Sequence, residues 1–288
     1  NAQQQPGFMT PGWEDDQVDV LHLDKALAWI RQTNQADADQ PFFLYLTPSA
    51  PHRPCMADPA HQGRSDAGPR GDMVTIVDDM VGGVTALLDE LGLADDTLIM
   101  VTSDNGAQPY DVDGLTHDHK SCGDLRGYKT NIWEGGHREP LVVRWPGRID
   151  AGTTSDDVVC LSDLMATCAE IVGADLPDMA GEDSLSFLPT LLGQAQPARP
   201  PMVHHSGSGV YALRKGDWKL ILGRGSGCWE FPDLTPPQTD GFPGQLFNMR
   251  EDYRETTNLW GERPDIVEEL TAELDVIIAE GRTRPIGV

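Results

Sequence analysis

Asp104 and Asn105 set two hard oxygen donors side by side near the end of the run Thr97-Leu98-Ile99-Met100-Val101-Thr102-Ser103-Asp104-Asn105-Gly106. The apolar stretch predicts a buried strand, and Gly106 predicts the turn that ends it. The donors then stand at the carboxyl end of a strand, the edge at which open α/β sheets bind ligands. A carboxylate beside a carboxamide suits Ca²⁺ or Mg²⁺ far better than a soft metal. Ca²⁺ takes about 6–8 oxygens, so the pair supplies only part of a site. Alone, it fits a turn cap at least as well, because Asp and Asn are common turn formers. Three other loops carry polar groups: Pro51-His52-Arg53-Pro54, His117-Asp118-His119-Lys120, and the stretch from Leu125 to Pro140 that contains Arg126, Lys129, Glu134 and Arg138.

These loops need elements to hold them. Residues 20–31 have helical spacing through Leu23, Leu27 and Ile30, residues 42–46 predict a buried strand, and residues 72–91 predict a long helix. Gly82-Gly83 inside that helix costs roughly 1 kcal/mol per glycine relative to alanine, which predicts close packing against a sheet. A strand is expected over 140–145 and helices over 161–172 and 185–192. After the Pro-rich stretch 198–201 the pattern changes to a hairpin, 210–214 and 218–222, and then an amphipathic helix over 264–279. The loop 107–138 carries most of the polar candidates, and loops this long are often functional.

Composition narrows the classes. The chain has 288 residues, 46 acidic against 21 basic, for a formal net charge of −25. Nucleic acid is an unsuitable partner, because phosphate binding needs a basic footprint. No apolar window of membrane-spanning length occurs. The first residues are polar, unlike a signal peptide, and no Met leads; we expect a processed or truncated chain. The five cysteines form no CxxC, which argues against zinc. Cys160 and Cys168 are expected as buried small hydrophobes.

Ser-Asp-Asn-Gly, followed by Leu-Arg-Gly-x-Lys-x-x-x-Trp-Glu-Gly-Gly-x-Arg-Glu-Pro, resembles the sulfatases of the alkaline-phosphatase-like superfamily. The upstream Pro-Phe-Phe-Leu-Tyr-Leu and Pro-His-x-Pro fit as well, as do Tyr-Ala-Leu-Arg-Lys-Gly-Asp-Trp-Lys-Leu-Ile and Leu-Phe-Asn-Met near the end. The resemblance implies an α/β fold: a mixed, mostly parallel sheet flanked by helices over residues 1–193, and a small antiparallel sheet with a terminal helix over 194–288. It implies a calcium-dependent sulfuric ester hydrolase with a formylglycine nucleophile. Asp104 and Asn105 correspond to metal ligands, Lys129 to the lysine at the sulfate and its bridging oxygen, and His52 to the histidine near the leaving group. His117, His119, Arg126 and His204 are candidate substrate contacts; Glu134 and Arg138 are expected to brace the loop, and Arg126 to pair with a neighbour such as Asp124.

The departure is equally plain. No Cys-x-Pro-x-Arg occurs, and Ser49-Ala50-Pro51-His52-Arg53 overlaps the histidine motif after the wrong strand. No Asp-Asp pair follows a buried strand as a first metal ligand should. The chain is expected to be the C-terminal part of a sulfatase, with its formylglycine on a missing N-terminal part; that half, or an oligomer partner, would cover exposed sheet edges. The expected substrate is a sulfated small molecule or carbohydrate, and the expected location periplasmic or secreted. Two alternatives stand beside this reading: phosphate or phosphonate ester hydrolysis, and a non-catalytic anion-binding or structural fragment.

Overall fold

The computed structural model describes residues 10–108, 119–230, 235 and 238–286. Two compact units divide the chain. One comprises residues 1–101, 109–121 and 145–147; the other comprises 102–108, 122–144 and 148–288.

The first unit is built on two helices, α1 (Val18–Ala36) and α2 (Gly68–Glu90). Ile76, Met80 and Leu87 recur at helical spacing on α2 and are buried, as the pattern predicts. The two glycines pack differently from expectation. A Cβ on Gly83 would lie 3.3 Å from a Leu23 methyl of α1, while one on Gly82 would meet nothing within 4 Å. Helix α2 thus uses its glycine against another helix, not against a sheet. The stretch 42–46 also departs from expectation. It has no strand pairing among the described residues. Phe42 and Leu44 pack with Ile30, Leu87 and Leu88, whereas Phe43 and Tyr45 are 76% and 78% exposed. A run of apolar residues does not reveal by itself whether one face or both are covered.

Strand β1 (Ile99–Thr102) forms as predicted, and the division between units falls within it. The second unit contains β2 (Leu141–Arg144), α3 (Leu164–Val172) and the short α4 (Leu188–Leu191). Cys160 and Cys168 are half-buried rather than buried, the first at the cap of the turn leading into α3.

The centre of the second unit is an antiparallel sheet of four strands in sequential order: β3 (Met202–His205), β4 (Tyr211–Lys215), β5 (Trp218–Ile221) and β6 (Gln245–Asn248). The hairpin and its Lys215-Gly216-Asp217 turn were legible in the sequence; β6 was not read as a strand. Its register pairs Leu213 with Leu220 and Leu220 with Leu246. These leucines share one face, and Leu270 and Leu274 of the terminal helix α5 (Pro264–Glu280) bury against them. Strand alternation sends Ala212, Ile221 and Phe247 to the opposite face. There they pack on Ile132 and Trp133 of the 125–140 loop. The sheet therefore has a helix on one side and the candidate functional loop on the other.

Candidate active site

The sheet face beneath the 125–140 loop is unusually polar for a covered surface. Register and alternation bring His204, Arg214, Lys219 and Gln245 to that face with Ile221 and Phe247. Gln245 is fully buried, accepts a hydrogen bond from Trp133 Nε1 at 2.9 Å, and donates to the carbonyls of Gly223 and Gly225. The indole is thereby fixed both by packing and by its one polar atom. Arg126 lies 3.8 Å above the same indole and donates to the Glu255 carbonyl at 2.7 Å. Its expected pairing with Asp124 is replaced: Asp124 pairs with Arg254.

Lys219 is fully buried, and its ammonium lies 2.9 Å from Glu134 Oε1 and 2.8 Å from Glu255 Oε1. Burial alone would discharge the lysine; the two carboxylates outweigh it and hold its pKa above the ordinary value. Burial likewise opposes ionisation of Glu134, but Lys219 prevails and lowers its pKa. Glu255 is pushed up to about 6, by burial first, against the attraction of Lys219 and with added repulsion from Glu134. Two carboxylates share one ammonium, and Glu134 is the one held firmly ionised. Glu255 Oε2 also accepts the Glu134 backbone N–H at 2.6 Å. The triad therefore clamps the Trp133-Glu134-Gly135-Gly136 turn to the sheet. Glu134 was read correctly as a brace. Lys219 and Glu255 were missed, although a lysine at an inward position of an apolar strand was the available signal.

The Asp104-Asn105 turn is joined to this clamped loop through backbone. Gly106 N–H donates to the Gly136 carbonyl at 3.0 Å, and Lys129 N–H donates to the Ala107 carbonyl at 2.9 Å. The approach is so close that a Cβ on Gly106 would lie 1.8 Å from the Gly135 oxygen. Only glycine permits it. Within the loop, Asn131 is buried, accepts from Tyr128 N–H and donates to the Trp229 carbonyl. Ile132 N–H bonds Ser226, and Thr130 accepts from Gly207 N–H, so the loop backbone is fixed on both flanks.

Side-chain tips divide into two groups. Glu134, Lys219 and Arg126 are committed to partners. The Lys129 ammonium, the Asp104 carboxylate and the Asn105 carboxamide make no hydrogen bond or ion pair among the described residues. Asp104 is exposed, and Lys129 and Asn105 are half-buried. Glu139 lies close enough to feel the Asp104 charge: its pKa is pushed up to about 7, by burial first and by Asp104 second. An uncommitted carboxylate and carboxamide with a second carboxylate close by fit a hard cation such as Ca²⁺. Among the described residues no group of three or more His, Cys, Asp or Glu side chains that could hold a metal ion converges.

The other candidates are distributed as follows. His52 is exposed in the first unit, and its Nδ1 lies 2.7 Å from the Arg53 carbonyl. A carbonyl only accepts, so Nδ1 carries the proton and Nε2 is the nitrogen left for other partners. His119 is exposed, and His117 falls outside the described residues. His204 packs against His137, ring centroids 4.1 Å apart. Both His204 nitrogens and His137 Nε2 are buried without a hydrogen-bond partner among the described residues. Burial, then the Lys219 charge, push His137 down to about 3; burial and the neighbouring His137 and Lys219 charges push His204 well below its ordinary value. His137 was not singled out in the sequence.

The fold is that of the alkaline-phosphatase-like class. A solved Bacteroides thetaiotaomicron structure, described under metabolism of multiple glycosaminoglycans and labelled a 6S sulfatase, superposes with a TM-score of 0.82 at 29% identity, over 92% of this chain and 55% of its own. The family model described as Sulfatase matches residues 2–174. The chain belongs to the sulfatase family. It is 30% identical to an N-acetylgalactosamine-6-O-sulfatase of Bacteroides thetaiotaomicron over 94% of this chain and 54% of that protein. It is 35% identical to the N-acetylgalactosamine-6-sulfatase of Rattus norvegicus over 73% of this chain and 39% of that protein. The chain spans about half the length, or less, of these curated relatives.

Proposed function

We propose that the full-length protein is a sulfuric ester hydrolase that cleaves a sulfate monoester of a carbohydrate or another small molecule. In this reading residues 1–193 belong to its α/β catalytic domain and residues 194–288 form a C-terminal subdomain. One observation carries the reading: the uncommitted tips of Asp104, Asn105 and Lys129 stand on backbone that is bonded into a single rigid turn-and-loop assembly. Site geometry held this firmly is what electrostatic catalysis requires. The relatives, named as galactosamine 6-sulfatases, support a sulfated sugar as the substrate class.

Asp104 and Asn105 would hold Ca²⁺, with Mg²⁺ as the second choice. When bound, the cation polarises sulfuryl oxygens and keeps an attacking oxygen ionised. The nucleophile, a formylglycine hydrate, is assigned to sequence outside this chain. Lys129 brings a fixed positive charge to the sulfate and its bridging oxygen. Charge grows on that oxygen as the S–O bond breaks, so the ammonium stabilises the transition state more than the ground state. His52, protonated, donates from Nε2 to the departing alcohol oxygen while Nδ1–H stays on the Arg53 carbonyl. His119, His204, Arg126 and His117 remain proposed substrate contacts, and a periplasmic or secreted location belongs to the same proposal. Among the described residues no helix is long and apolar enough to cross a membrane.

The test is turnover of paired aryl sulfate and aryl phosphate esters by the matured full-length protein with calcium. Preference for the sulfate is expected. Cleavage of the phosphate alone would move the protein to phosphoryl or phosphonyl chemistry, and turnover of neither would leave a binding role.

A further inference from the structure

We propose that Asp19 is a positioning residue for the proton donor His52, a role that rests on the sulfatase reading above. Asp19 sits in the first turn of α1, far from His52 in sequence, and is only 4% exposed. Its carboxylate accepts three hydrogen bonds from one short segment: Ser49 N–H at 2.7 Å, Ser49 Oγ–H at 2.9 Å and Ala50 N–H at 2.9 Å. A buried carboxylate is costly unless its lone pairs are occupied, and these three donors occupy them. The segment so gripped is the base of the histidine turn. Ser49 accepts the His52 backbone N–H at 2.9 Å, which closes the turn, and Ala50 is buried beside Ala57, Met73, Ile76 and Met80.

The ring itself stands outside this bonded base. His52 itself is exposed, and among the described residues its ring bonds the carbonyl of the next residue. The base of the turn, Ser49 and Ala50, is bonded to Asp19 through all three of these donors. The nearby His22 ring, 3.8 Å from Asp19 Oδ1, is too distant to replace any of the three donors. A carboxylate is the one small side chain that can accept all three at once. Asparagine would offer one oxygen and turn an N–H₂ toward the remaining donors. Loss of this grip lets the ring drift, and a proton donor misplaced by about an ångström loses much of its effect.

General acid assistance matters for a poor leaving group and hardly at all for a good one. That distinction separates positioning from mere stability. The experiment compares the matured full-length protein with its Asp19→Asn and His52→Ala variants. Each is assayed on a sulfate ester of an alkyl or sugar alcohol and on a nitrophenyl sulfate. Asp19→Asn is expected to lower kcat on the alkyl ester by about 10²-fold, within the range for a lost general acid, and to change nitrophenyl turnover by less than about threefold. The double variant Asp19→Asn/His52→Ala is expected to be no worse than His52→Ala alone, since both remove one function. A parallel fall on both esters, or additive losses in the double variant, would overturn the positioning role and leave the sulfatase reading intact. Inactivity of the unsubstituted protein on both esters would overturn both.

Discussion

The Lys129 loop and the His52 turn, to which we assign complementary chemistry, stand on very different supports. The loop is fixed by a buried Lys219–Glu134–Glu255 triad, an indole bonded to Gln245, and backbone bonds to residues 106, 107, 207 and 226. The base of the turn is held by three hydrogen bonds to the Asp19 carboxylate and by packing of Ala50. The difference follows from what each group must do. A fixed charge that stabilises a transition state loses value with every small displacement, so redundancy is useful. The proposed proton donor needs a held base but a reachable tip, and a base bonded to Asp19 beneath an exposed ring fits that.

Breaking the redundant side should have the largest effect on stability. Lys219→Met leaves two buried carboxylates without their cation, and removing one partner of such a group costs about 3–5 kcal/mol. Urea unfolding of the variant should show a midpoint well below that of the parent. A loss under about 1 kcal/mol would mean the triad contributes little.

Acid should act on the same region next. His137 is held down to about 3 beside Glu134, Lys219 and His204, while an unfolded histidine titrates near 6.5. The unfolded chain therefore binds the extra proton as pH falls from about 6.5, and stability drops through that window. Each such ring contributes up to ~1.4 kcal/mol per pH unit. Glu255, raised to about 6, works in the opposite sense between that pH and its ordinary 4.5 and offsets one ring there. Denaturant midpoints at pH 7.5 and 5.0 should differ accordingly, and His137→Gln should flatten the slope. An unchanged slope would show that the ring is not buried and neutral.

On the histidine side, Ser49→Ala removes one of the three donors to Asp19 and should cost about 0.5–1.5 kcal/mol. Its mark should be faster amide exchange at Ala50 and no change at Ile132. Equal acceleration at both amides would erase the contrast between the two supports.

How much of this was legible follows the same contrast. Helices, the hairpin and β1 came through because periodicity and turn residues are local signals, as at Ile76, Met80 and Leu87. Asp104, Asn105, Lys129 and His52 stood out by type and by motif. The supports did not. Lys219 meets Glu255 only after β4, β5 and β6 are in register, and Asp19 meets Ser49 only after α1 has docked. Neither pairing has a spacing that marks it. Phe42 to Leu46 misled for a related reason: apolar content does not report which faces are covered, and alternation left Phe43 and Tyr45 outside. Gly83 was read as a sheet contact because nothing local names its partner, Leu23.

The central claim is that Lys129, held on this platform, does chemistry on a sulfate ester. The direct measurement is kcat/KM for an aryl sulfate by the matured full-length protein and by Lys129→Met, whose folding is checked by unfolding midpoint. A loss of at least about 10²-fold at an unchanged midpoint is expected, the range for removal of one charge-stabilising group. Activity within about threefold of the parent would contradict it.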